Sequence, residues 1–187
     1  RLAKEAANST ITNKEIQKRL VEAKRTETKY MDAMYQLSRA LDLDGKKVES
    51  VEIAQRFLRT FPTATHSVTN YHIELYFRIG EYYFTLGDYP SAVDNYGQVL
   101  ALSEKASSLT ANNFYGISAY MQGWSFFKQE DHDNALVSFS KMLDDTLEDN
   151  SYTQTFISVD ELPLGQQKLV KDTLRIMALL FSYQGNG

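Results

Sequence analysis

The chain has 187 residues, 43% hydrophobic and 24% charged, with 20 Lys and Arg against 24 Asp and Glu for a net charge of −4. That length suits roughly one domain, the composition excludes a disordered chain, and the charge argues against a general nucleic-acid binder. The absence of cysteine excludes disulfides, thiolate metal sites and a cysteine nucleophile, and 3 Pro with 9 Gly disfavour a turn-rich sandwich or barrel.

No stretch approaches the roughly 18 apolar residues of a membrane span. The chain opens on Arg1 without a signal peptide, and it reads as an excised or processed piece of a longer protein. Residues 1–29 form a Lys/Glu-rich helix with a sparse apolar side of Ile11, Ile16, Leu20 and Val21. It is either a cap or the second helix of a preceding unit.

From residue 30 an internal repeat sets in. Tyr76, Ile79, Gly80, Tyr83, Gly87, Asp88, Ala92 and Tyr96 recur in order as Ala119, Gln122, Gly123, Phe126, Glu130, Asp131, Ala135 and Phe139, offset by 43. Met34, Leu37, Ser38, Leu41, Gly45 and Ser50 precede the middle copy by 42. Leu174, Met177, Ala178, Phe181 and Gly185 repeat the first half after an interval of 55. Tyr76, Ile79, Tyr83 and Leu86 make one stripe of an amphipathic helix. Gly87 can end that helix with positive φ, Asp88 can cap the next, and Pro90 falls harmlessly in its first turn. Each copy is thus a helical hairpin that needs neighbours to bury its stripes. Mid-helix glycine costs about 1 kcal/mol relative to alanine, so Gly80 and Gly123 imply a compensating close approach. Gly80 is expected to face Ala92 across the hairpin.

Three such hairpins are expected over 30–147. Residues 148–165, rich in Ser, Thr, Asp and Asn, are expected to be a loop insert, and 166–187 the first helix of a truncated fourth repeat.

This pattern resembles the tetratricopeptide repeat. Tyr76-x2-Ile79-Gly80-x2-Tyr83 with Ala92-x3-Tyr96, Gly123-x2-Phe126 with Ala135-x3-Phe139, and Pro62 closing the first copy carry the likeness. It covers about 30–147 and again 171–187. The departures are Ser50 and Ala54 in the first copy, Ala119 and Gln122 in the third, and an interval of 42–43 where the family has 34. The resemblance implies an all-α, right-handed superhelix of antiparallel hairpins, a solenoid. It also implies a protein–protein interaction scaffold that binds a protein or peptide on the first-helix, concave face. The alternative is a non-catalytic arm of a larger enzyme or envelope transport or assembly complex. The long interval is similar to that of bacterial envelope members, which implies a periplasmic or envelope setting, with the cytoplasm as alternative.

With the core stripe removed, the first-helix faces leave Tyr35, Phe77, Glu81, Phe84, Tyr120, Trp124 and Phe127 as candidate partner-binding residues. Six aromatics on one side are more than a solvent-only surface collects, and Trp and Tyr are favoured anchors. The other reading is that the 148–165 insert, with Phe156, Ile157 and Val159, or the N-terminal helix folds over this face. Family members that clamp a carboxylate tail use Lys and Asn here, so such a clamp is not expected.

The acids of 131–161, eight against Lys141 alone, lack a calcium-loop pattern and read as helix caps and solvated loop. His66, His72 and His132 have no metal-ligand spacing. Without a catalytic motif the chain is not expected to be an enzyme, and no cofactor, metal or nucleic acid is implied.

Overall fold

The computed structural model describes residues 2–105, 112–147 and 158–184. Seven α-helices and one short 3-10 turn make up the described residues, and no strand occurs among them. They run α1 (Leu2–Leu43), α2 (Lys47–Thr60), α3 (Asn70–Leu86), α4 (Tyr89–Lys105), α5 (Asn112–Phe127), α6 (His132–Leu147) and α7 (Leu164–Gln184), with the 3-10 turn at Val159–Glu161. The fold is all-α, as the repeat implies. The chain forms two compact units, Arg1–Phe61 and Pro62–Gly187.

The first unit is one hairpin of unequal arms. Helix α1 crosses the expected break at residue 29 without interruption and covers 42 residues, about 63 Å at 1.5 Å per residue. Nothing local stops it, because the 1–43 segment holds neither Pro nor Gly. The side chains of Ile11, Ile16 and Leu20 lie outside the described residues. Helix α2 has 14 residues and packs on the C-terminal part of α1, burying Met34, Ser38, Ser50, Val51, Ala54 and Phe57. Tyr30 meets Phe61 edge-on at 5.8 Å, and Phe57 lies 5.2 Å from Phe61. Leu37, expected in the core stripe, is exposed.

The second unit stacks α3 to α7 in sequence, each helix on the next, with α3 also touching α5. Its core includes three clusters among the described residues, and Leu75, Ile79, Ala92 and Tyr96 are buried besides. Ile73, Val99 and Leu102 gather Tyr76, Phe77 and Phe114. Leu100, Ala119, Met142, Leu162 and Val170 gather Tyr115 and Tyr120. Ala135, Phe139 and Leu180 gather Trp124, Phe126, Phe127, Ile176 and Met177.

Three turns repeat one geometry. In each the sixth residue of the helix end donates its N–H back to the first: Lys46 to Leu41, Asp88 to Tyr83 and Asp131 to Phe126. The residue before it donates to the second, Gly45 to Asp42, Gly87 to Phe84 and Glu130 to Phe127. This cap needs a left-handed residue, and Gly45 (φ 77), Gly87 (φ 78) and Glu130 (φ 61) supply it. Asp88 and Asp131 then accept the N–H of Ser91 and Asn134 at 3.2 Å, capping α4 and α6. Helix α3 starts differently. Thr69 N–H donates to His72 Nδ1 at 3.2 Å, so the fully buried His72 imidazole serves as a reciprocal cap.

The hairpin crossings show what lies against the glycines. A Cβ placed on Gly80 would lie 2.8, 2.9 and 3.1 Å from Cε1, Cδ1 and Cζ of Tyr96, and one on Gly123 2.6, 2.7 and 3.0 Å from the matching atoms of Phe139. Gly80 therefore lies under the Tyr96 ring, one of the two rings expected to fill the space around it, and Ala92 is fully buried. Only a residue without Cβ lets a flat, fully buried ring lie on the helix backbone. In the first unit the equivalent crossing is polar. Ser38 Oγ donates to the Ser50 carbonyl at 3.0 Å, and Ser50 Oγ donates to the Ser38 carbonyl at 2.8 Å.

The departures of the third copy also find a reason. Gln122 Nε2 donates to the Val93 carbonyl of α4 at 3.2 Å, and its Oε1 accepts from Ser138 Oγ of α6 at 3.0 Å. An aliphatic side chain there would forgo both links. Ala119, where an aromatic is usual, is fully buried.

Candidate functional site

The seven candidate residues fall in both units. Tyr35, in the first, is only 5% exposed, with the Arg39 guanidinium 5.7 Å over its ring. It is a core side chain and not a surface anchor. The sequence misled here because residue 35 lies beside the buried Met34 and Ser38, where the apolar stripe is wider than the spacing suggests.

The other six lie on α3 and α5 of the second unit, all half-buried. Phe77 is wedged between Tyr96 at 6.1 Å and Phe114 at 5.2 Å, so it serves as floor rather than free anchor. Phe84 stands edge-on to Tyr89 at 5.5 Å. On α5 three rings interlock: Trp124 contacts Tyr120 at 6.2 Å, Phe127 at 5.4 Å and, from α6, Phe139 at 6.1 Å. His132 follows, 6.1 Å from Phe127, at the repeat place of Tyr89, which packs on Phe84 in the hairpin before. Edge-to-face pairs of this kind add about 0.5–1.5 kcal/mol each beyond area burial, so the rings are held in fixed positions.

Glu81 is the polar member of the group. It accepts a short hydrogen bond from the Tyr96 hydroxyl. Burial, then the bond to and the charge of Glu81, push the Tyr96 phenol above its usual value of 10.0. One repeat later Trp124 stands at the place of Glu81 and Phe139 at that of Tyr96. The carboxylate–phenol bond of one hairpin becomes an indole–phenyl contact in the next. This pairing was missed in the sequence, although the joint change of two positions 15 apart was a signal for it.

Part of the expected insert does fold inward. Leu162 is buried, and with Val159 it joins the cluster that holds Ala119, Tyr115 and Tyr120. Gln167 Nε2 ties this segment down by donating to the Leu162 carbonyl at 2.8 Å. The last helix begins at Leu164, inside the stretch expected as loop. Phe156 and Ile157 lie outside the described residues. Tyr120 thus shares its cluster with Val159 and Leu162, while Trp124 and Phe127 share theirs with Ile176 and Met177 of α7.

No group of three or more His, Asp or Glu that could hold a metal occurs among the described residues. No described helix is long and apolar enough to cross a membrane.

Residues 32–64 match the family model of the tetratricopeptide repeat. That is the first copy, covering the end of α1, all of α2 and Pro62. No curated protein and no solved structure matches the chain.

Proposed function

Since the chain is a tetratricopeptide repeat protein, we propose that it is an interaction scaffold that takes a protein or peptide on the first-helix face of its second unit. The family is in general non-catalytic. The surface comprises Glu81 and Phe84 on α3 and Tyr120, Trp124 and Phe127 on α5, with Phe77 beneath. The observation that carries this reading is the interlocked, half-buried set of rings around Trp124. Aromatics fixed before binding lose little conformational freedom on binding, which favours affinity. Part of each ring stays open to solvent, and a partner's apolar side chain can close over it. Glu81 sits among them as a carboxylate already engaged by Tyr96, which favours apolar or basic ligand residues over acidic ones.

Trp124 is the single tryptophan, so its emission reports on this face alone. Peptides selected from a random library on the intact chain should shift that emission. Trp124→Ala and Phe127→Ala should each weaken such peptides by about tenfold or more, the range of a hot-spot aromatic. A library that yields no binder, or binders indifferent to both changes, would turn the reading toward a structural spacer. The envelope setting implied by the long interval belongs to the same proposal, and fractionation of the expressing cell decides between periplasm and cytoplasm.

A further inference from the structure

The first helices of the second unit stand side by side. Phe77 of α3 meets Phe114 of α5 at 5.2 Å, and Trp124 of α5 shares its cluster with Ile176 and Met177 of α7. Equivalent repeat positions therefore fall in rows that run across the helices. The offsets of 43 and 55 place Glu81, Trp124 and Leu179 in one such row. Glu81 and Trp124 are half-buried, and Leu179 is 49% exposed. The row thus runs from a carboxylate through an indole to an aliphatic side chain.

Each member is held in place by its own helix or hairpin. The Tyr96 hydroxyl binds Oε1 of Glu81, and the other carboxylate oxygen has no hydrogen bond among the described residues. Arg78, the basic residue nearest in the chain, is paired with Glu74 at 2.9 Å. Glu81 is therefore a fixed anion with one oxygen to offer, and a charge-assisted bond is the strong kind it can make. Phe77 and Phe84, four residues before and three after, share its side of α3 and suit the aliphatic stem of Lys or Arg. Trp124 is fixed by its contacts with Tyr120, Phe127 and Phe139. Leu179 rides on a seated helix, since Val170, Thr173 and Leu180 of α7 are fully buried. Spacing then selects the ligand backbone. Packed helices lie about 8–10 Å apart. A polyproline II segment returns every third side chain to one side and advances about 9.3 Å over those three residues. A β-strand returns every second one after about 6.7 Å and misses the row.

We infer that the ligand of this face is a polyproline II segment of the pattern basic-x-x-apolar-x-x-apolar. Its Lys or Arg meets Glu81, and its two apolar residues meet Trp124 and Leu179. The inference rests on the reading of the α3–α5 surface given above, and adds the α7 end of the row together with the charge and register of the ligand.

The test follows the anisotropy of fluorescein-labelled peptides on the full chain. The probes are Gly-Lys-Pro-Ser-Leu-Pro-Ser-Leu-Gly and the same residues in reverse order, because the row sets a spacing and not a chain direction. One of the two should bind, about tenfold more tightly than its counterpart with Gln in place of Lys. Deleting both serines, which shortens both intervals by one residue, should abolish that binding. Glu81→Gln keeps an oxygen for the Tyr96 hydroxyl, so the thermal melt should hold. It should bring the Lys peptide down to the level of the Gln peptide and leave the Gln peptide unchanged. Leu179→Ala, at an exposed position, should weaken both peptides. Binding that falls with Trp124→Ala yet ignores the Lys, the spacing or Glu81→Gln would overturn this inference and leave the surface reading standing. No binding in either order would also overturn it, and library peptides that depend on Trp124 would then decide the surface reading alone.

Discussion

The hairpin of the first unit and the two hairpins of the second bring their helices together at the same repeat position by different chemistry. At α1–α2 two serines exchange hydrogen bonds with each other's carbonyls, and the residue four beyond Ser50 is the small Ala54. At α3–α4 and α5–α6 a bare glycine receives a buried ring. The difference teaches that the crossing needs a matched pair rather than a particular residue. A ring requires glycine opposite, and a side chain with a Cβ requires a small partner. Hydroxyls can then replace lost apolar burial with hydrogen bonds, each a net gain of about 0.5–1.5 kcal/mol.

The comparison breaks most sharply at the glycines. Gly80→Leu puts a whole side chain into the Tyr96 ring and should cost about 3 kcal/mol, the upper end of core overpacking, read as a fall in the denaturant midpoint. In the first unit, Ala54→Phe should cost about 1–3 kcal/mol by the same cause. Adding Ser38→Gly should then recover part of that loss, since it recreates the pair found in the second unit. A second change no better than the first would show that the pairs are not interchangeable.

Removal of one hydroxyl separates the two hairpins of the second unit. Tyr96→Phe deletes the bond to Glu81 and should cost about 1–2 kcal/mol, as expected for a bond to a charged group. It should also change the response to alkali. The folded chain holds the Tyr96 proton more tightly than the unfolded chain, whose phenol titrates near 10.0. The unfolded state therefore binds fewer protons above that pH, and stability, constant below about pH 10, falls as the pH rises further. Tyr115, pushed up to about 12 by burial and then by Glu104, adds a fall of the same sign. Denaturant midpoints between pH 8 and 11 should drop less steeply in Tyr96→Phe.

The smallest effect concerns the turns. Glu130 holds the left-handed conformation that Gly45 and Gly87 adopt without strain. Glu130→Gly should stabilise by about 1 kcal/mol, seen as a rise in melting temperature.

Much of this was legible in the sequence. The hairpins, the positive φ at Gly87, the cap at Asp88 and the harmless Pro90 follow from local chemistry, which is why the repeat could be read from Gly80 to Phe139. That a ring fills the space at Gly80 was legible too, but a spacing shows that room is needed and not how closely the ring lies on the helix backbone. The candidate face was half legible. The aromatics of α3 and α5 do cluster, but Tyr35 is core, and only the fold shows Phe77 wedged between two rings. The family match lies on the first copy, whose Ser50 and Ala54 depart from the pattern. Seen in the fold, those two residues are the other solution to the same contact.

The most direct measurement is a double-mutant cycle on Gly123 and Phe139, with free energies from denaturant unfolding. In the native background Gly123→Ala should destabilise, because the new Cβ meets the Phe139 ring. In a Phe139→Ala background the same change should stabilise, by up to about 1 kcal/mol, since only the helix preference for alanine remains. Equal effects of Gly123→Ala in both backgrounds would mean that the ring and the glycine do not constrain each other, and would contradict the matched-pair account.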